Sequence, residues 1–241
     1  MTLAATYRLG TRLFWRDRAM LVASVVTPMG IGIGLPLLMR HVRADGAAAA
    51  AQLFPGTIAI MLAITAFMNI NVALATRRDQ LVLKRLRTTT LTDGQILVGQ
   101  IASTVTQTVV VIALCTVTVR FVADVPFPAN PLLFAGAAVV GSAVMATLGA
   151  AYTAAVPRAE LSAAACMPVF LLCGVGAGAM GPILEVLPSW VGSLFGLLPT
   201  AGVVDAMRDG AVAGPAANLA GWTVVALVAL RLWFRWEPRR S

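Results

Sequence analysis

The chain has 241 residues, 59% of them hydrophobic and 12% charged, and its mean hydropathy of +0.86 exceeds what a soluble domain of this size can bury. Eighteen Lys and Arg against ten Asp and Glu leave a net charge of +8. Anionic lipid at an inner leaflet accounts for that sign, so membrane lipids are the expected partner of the basic surface and nucleic acid is not.

Residues 1–18 place Arg8, Arg12 and Arg16 on one helical face and Leu3, Tyr7, Gly10 and Phe14 on the other, the pattern of a helix lying in the headgroup plane. No small-residue cleavage site follows a short apolar core, so the segment is expected to be retained. A first span is predicted over 19–39, with Pro28 as a kink and Gly30 and Gly34 as a close-packing pair. A second covers 53–74 and carries Thr65 and Asn69 one turn apart.

The segment 75–95 interrupts this pattern with Arg77, Arg78, Lys84, Arg85 and Arg87. A basic loop between apolar runs marks the cytoplasmic side. Within it Leu83 and Leu86 share a helical face, which predicts a docking element for a cytoplasmic partner. Thr92-Asp93-Gly94-Gln95 reads as a capping box opening the third span, 96–119. Further spans follow at 131–156, 161–184, where Pro168 is a second expected kink, and 216–234.

The stretch between the last two spans, 185–210, is expected outside as two short re-entrant helices. Pro188 and Pro199 bracket an apolar piece of about ten residues, too short to cross. The expected fold is therefore a single all-α integral membrane domain: six transmembrane helices, an N-terminal interfacial helix and short re-entrant helices before the last span. With both termini cytoplasmic, the inner segments hold fourteen Lys and Arg and the outer ones four, with five acids on each side. That bias sets the orientation. Abundant Ala and Arg beside a single Lys suggest a GC-rich bacterial genome, and the expected location is the bacterial inner (plasma) membrane.

No Asp, Glu, Lys or Arg lies near the middle of any span, which disfavours a proton- or ion-coupled transporter. The polar residues at depth are neutral: Thr65, Asn69, Gln100, Thr104 and Gln107, of which the last three share a face of the third span. Such groups bond helix to helix or line a path for an amphipathic substrate, and both readings stay open for Asn69 and Gln107. Cys115, Cys166 and Cys173 fall in apolar runs, and the single His41 has no acidic company, so neither catalytic nor metal-ligating residues are expected. A phosphate-binding loop needs a lysine after glycine. The only lysine, Lys84, stands between Leu83 and Arg85, so no nucleotide cofactor is expected on this chain.

In this order and spacing the chain resembles the permease subunits of ABC-2-type exporters, and among them the daunorubicin-resistance-like bacterial permeases. The resemblance rests chiefly on Arg78-Asp79-Gln80 followed by Leu83-Lys84-Arg85-Leu86-Arg87-Thr88-Thr89-Thr90-Leu91, similar to the family's "K-R-L-R-x-T-P-L" run. Leu187-Pro188-Ser189-Trp190, Leu198-Pro199 and Val204-Asp205-Ala206-Met207-Arg208 are similar to the outer segment before its last span. Thr90 stands where the family usually has proline, and 174–181 lacks aromatic residues often found there.

Membership would imply an antibiotic- or drug-like efflux permease, paired with a second copy or a related subunit and driven by a separate ABC ATPase that carries the ATP and Mg. Leu83, Lys84, Arg85, Leu86, Arg87 and Leu91 would couple to that ATPase. Thr65, Asn69, Gln100, Thr104 and Gln107 would line the path, and Pro188, Trp190 and Pro199 would form an outer gate. The competing readings are a secondary transporter, a non-transporting scaffold or immunity subunit, and a membrane enzyme of lipid metabolism.

Overall fold

The computed structural model describes residues 22–44, 47–80, 82, 92–128, 130–179, 188–208, 210 and 212–234. The interfacial helix expected over 1–18 lies outside them. Helix α1 opens with a π turn, Val22–Val26, and continues over Thr27–Met39. A two-residue antiparallel pair, Arg43–Ala44 (β1) with Ala47–Ala48 (β2), leads into α2. Helix α2 is unbroken over Ala49–Asp79, with a π stretch, Leu62–Met68, inside it. Then come α3 (Asp93–Val122), α4 (Pro131–Tyr152), a 3₁₀ turn (Ala159–Leu161), α5 (Ser162–Gly176), α6 (Ser189–Gly196), α7 (Ala201–Arg208) and α8 (Ala213–Trp233). Five of these helices are long and apolar enough to cross a bilayer, α5 together with its 3₁₀ turn, while α6 and α7 meet at 95°. The chain is an all-α integral membrane protein.

Helix α2 is apolar all round, and the fold uses every face of it. Over its most apolar window 83% of α2 is buried, against 22–28% for α3, α5 and α8, so the other helices wrap around it. Phe54, Ile58, Met61, Leu62, Ile70 and Leu74 form the core with Ile112 of α3 and Met145 of α4. Backbone approaches are closest where glycine permits. A methyl on Gly149 of α4 would collide with the Phe67 carbonyl, and one on Gly56 would come within 2.6 Å of the Ala179 nitrogen. Among the described residues the expected pair Gly30 and Gly34 meets nothing within 4 Å; the residue between them, Gly32, packs on Cys115 and Met61 instead.

Local chemistry sets the helix ends. Thr92 and Gln95 form the capping box that opens α3. The Asn130 side chain accepts from Leu133 N ahead of Pro131 to start α4. Pro28 has no N–H for the carbonyl a turn behind it; the backbone there widens into the π turn, and the Thr27 hydroxyl donates to the Val22 carbonyl at 3.2 Å.

Three helices end four or more residues away from the predicted limits. The second extends through Asp79, so residues 75–79 are its last turn and not loop. The fourth stops at Tyr152, short of 156. The fifth stops at Gly176 because Gly178 takes φ 72° and closes a Schellman motif, with Ala179 N bonded to Gly174 O and Gly178 N to Val175 O, both at 3.0 Å. Gly178 is thus a helix terminator.

Candidate functional site

At the end of the bundle where α2 stops, Arg78 is buried to 2% exposure. Its Nη1 donates to the Thr153 carbonyl at 2.9 Å, and its Nη2 donates to those of Val156 at 2.8 Å and Pro157 at 3.5 Å. These carbonyls lie at and just past the C-terminus of α4, where the helix dipole leaves partial negative charge. A guanidinium fits that place because it is planar and offers several donors at once. Hydrogen bonds from a charged group contribute about 1.5–3 kcal/mol each, which offsets the cost of burying the cation.

Asp79 holds the next stretch of chain. Its Oδ2 accepts from Ala159 N at 2.7 Å, and its Oδ1 lies 3.5 Å from Arg78 Nε, close enough for charge pairing. Two turns back along α2, Asn71 Nδ2 donates to the Gly149 carbonyl at 3.1 Å. Three residues of α2 thus grip the end of α4 and the turn into α5. Beside them Arg77 donates to Gln100 Oε1 of α3.

The neutral polar residues run inward from this end. Helices α2 and α3 are antiparallel: Arg77 meets Gln100 near one end, and Met61 and Cys115 flank Gly32 further along. Counting inward from Arg77 and Gln100 brings Asn69 level with Gln107 and Thr108. Thr65 is buried with its hydroxyl on the Met61 carbonyl at 2.6 Å. Asn69 is buried, and its Oδ1 has no hydrogen-bond partner among the described residues. Gln100 and Thr104 are buried, whereas Gln107 is half-buried and donates from Nε2 to Ser103 Oγ at 3.0 Å.

On the far side of α2 an apolar cleft of ≈ 620 Å³ runs between α4, α5 and α8. Its walls include Phe67, Leu148, Val169, Leu172 and Leu232. Aromatic groups with polar tips mark its two ends. Tyr152 donates its hydroxyl to the Ala165 carbonyl at 2.9 Å, and Trp222 donates its indole N–H to the Leu197 carbonyl at 2.6 Å. Among the residues read as an outer gate, Pro199 is buried and lines this cleft, while Pro188 and Trp190 are exposed on α6. The three do not converge on one constriction.

Leu83, Lys84, Arg85, Leu86, Arg87 and Leu91 lie outside the described residues. The roles of Arg78 and Asp79 were missed in the sequence, which reads them as part of a solvated basic loop. Their partners are 75 to 80 residues away, and no local periodicity records such a distance. The cleft was missed too, since its lining comes from four separate helices and the loops beside them.

The helices, the basic end of α2 and the apolar cleft accompany a match at the level of the whole chain. A family model described as "ABC-2 type transporter" matches residues 3–212. A search of curated proteins finds no match. The match covers most of the 241 residues, so the chain belongs to the ABC-2 type transporter family.

Proposed function

We propose that the chain is the transmembrane permease subunit of an ABC exporter of the daunorubicin-resistance-like subgroup, moving an amphipathic, drug-like or lipid-linked substrate out of a bacterial cell. Family membership over residues 3–212 is the observation that carries this reading. ATP and Mg are bound and turned over on a separate ATPase subunit, because the segment around the sole lysine, Lys84, is not a phosphate-binding loop. Both termini are cytoplasmic, and α6 and α7 form a re-entrant pair on the outer side. The amphipathic character of the substrate is supported by the apolar cleft with its polar-tipped ends and by the neutral residues Thr65, Asn69, Gln100, Thr104 and Gln107 along α2 and α3.

A second permease copy completes the path. Val26, Gly30, Gly34 and Leu38 recur every four residues on α1, and Val26 and Leu38 are 60% and 75% exposed. With nothing against Gly30 and Gly34 among the described residues, this face suits close packing with another helix.

The ATPase docks on Leu83 and Leu86, flanked by Lys84, Arg85, Arg87 and Leu91. Burying a leucine-sized anchor contributes about 1.5–3 kcal/mol. The double substitution Leu83→Asp/Leu86→Asp is therefore expected to abolish co-purification of the ATPase while the permease still inserts in the membrane. Retention of a fully active ATPase by that variant would move the docking site elsewhere, most plainly to Arg158, Ala159 and Glu160.

A further inference from the structure

We propose that Arg78 and Asp79 are positioning residues that form a rigid joint between the start of the basic segment and the turn joining α4 to α5. Displacement of the chain that follows Gln80 is thereby delivered to the helices walling the apolar cleft. The delivery step rests on the docking of an ATPase on 83–91; the joint itself does not.

The geometry carries the first half. A buried arginine with three backbone carbonyls around it is held on several sides, from Thr153 O at 2.9 Å to Val156 O at 2.8 Å and Pro157 O at 3.5 Å. Every acceptor is main chain, so side-chain rotation cannot release it. Asp79, the next residue, extends the grip in the same direction by accepting from Ala159 N at 2.7 Å. Asn71 ties the preceding part of α2 to Gly149. The end of α2 therefore has no freedom to turn against residues 149–159 unless several bonds break together.

Position carries the second half. Asp79 is the last residue of α2, and the docking segment begins a few residues later. On the far side of the joint, Tyr152, Ala154 and Ala155 line the cleft directly, and Ala159 opens the 3₁₀ turn that leads into α5. A push on the basic segment reaches the cleft through the short turn after α4, which Arg78 and Asp79 hold at Thr153, Val156, Pro157 and Ala159. A plain surface arginine, solvated and mobile, would lose that motion.

Two spin-label pairs test the two halves in a background where Cys115, Cys166 and Cys173 are replaced by Ala. The pair Gln80→Cys/Glu160→Cys, read by pulsed EPR on the purified permease alone, is expected to give one narrow distance. Arg78→Gln should broaden it at least twofold, and Arg78→Lys should restore it in part. Asp79→Ala, at a more exposed position, gives the same reading if Arg78→Gln fails to fold. A broad wild-type distribution, or variants as narrow as wild type, overturns the joint.

The pair Ala155→Cys/Leu232→Cys spans the cleft and is read in the complex with the co-purifying ABC ATPase, before and after a non-hydrolysable ATP analogue. Wild type should shift on adding the analogue, and Asp79→Ala should lose at least half of that shift with the ATPase still bound. An undiminished shift overturns the delivery role. A wild-type permease that retains no ATPase overturns the docking reading and the delivery that rests on it, while the first pair still decides the joint.

Discussion

Two asparagines two positions apart on α2 are tied into the bundle to different degrees. Asn71 donates to Gly149 O at 3.1 Å and reaches the Thr153 hydroxyl at 3.5 Å. Asn69 is buried too, but no such bond ties it to α4 among the described residues, where the Oδ1 atoms of both asparagines lack a partner. An interhelical bond of this type contributes about 0.6–1.7 kcal/mol within a membrane protein; of the two, Asn71 has one to lose, while replacing either residue relieves the same buried, unpaired carbonyl. Asn71→Leu should therefore lower thermal stability in detergent, and Asn69→Leu should leave it unchanged or raise it while altering substrate range. Equal losses would show that Asn69 is a packing residue like its neighbour. In the sequence Asn69 stands out one turn from Thr65 and Asn71 does not, because the bond that Asn71 makes depends on what α4 places opposite it. Side chains whose role is simply to be apolar were legible: Cys115, Cys166 and Cys173 are all buried among hydrophobic neighbours.

At the scale of elements, hydropathy located the helices and local capping chemistry set their ends. The capping box at Thr92 was readable because its four residues are contiguous. The end of α5 was not, since a charge-free run continues past Gly178 and only its φ of 72° shows the helix stopping. The 95° corner between α6 and α7 follows from the paired prolines, of which Pro199 sits between the two helices. If both lie outside as a re-entrant pair, Ser189→Cys and Gly214→Cys should react with an impermeant thiol reagent applied from outside, in a background without the native cysteines. Ser241→Cys should react only after the membrane is opened. Labelling of Ser241→Cys from outside would mean that the bent pair crosses the membrane.

At the scale of the whole molecule, α2 is the axis and the cleft lies to one side of it, away from Gln100 and Gln107. Division of labour with a separate motor predicts that the purified permease shows no specific nucleotide binding at millimolar ATP by calorimetry. Saturable binding would place the nucleotide site on this chain and undo the two-subunit arrangement. The grip of α2 on the turn beyond α4 also bears on how the protein is made. Asp79 finds its partner at Ala159, 80 residues later, and Arg78 has no carbonyls to hold until Thr153, Val156 and Pro157 are synthesised. At about 5–20 residues per second that is a wait of roughly 4–16 s. During it the arginine must stay among water and lipid headgroups, its long stem letting the charge reach them. Helix α2 therefore enters the bilayer early but settles to its final depth only after α3 and α4 have followed it, which makes biogenesis of this bundle stepwise, with a late locking event at its basic end.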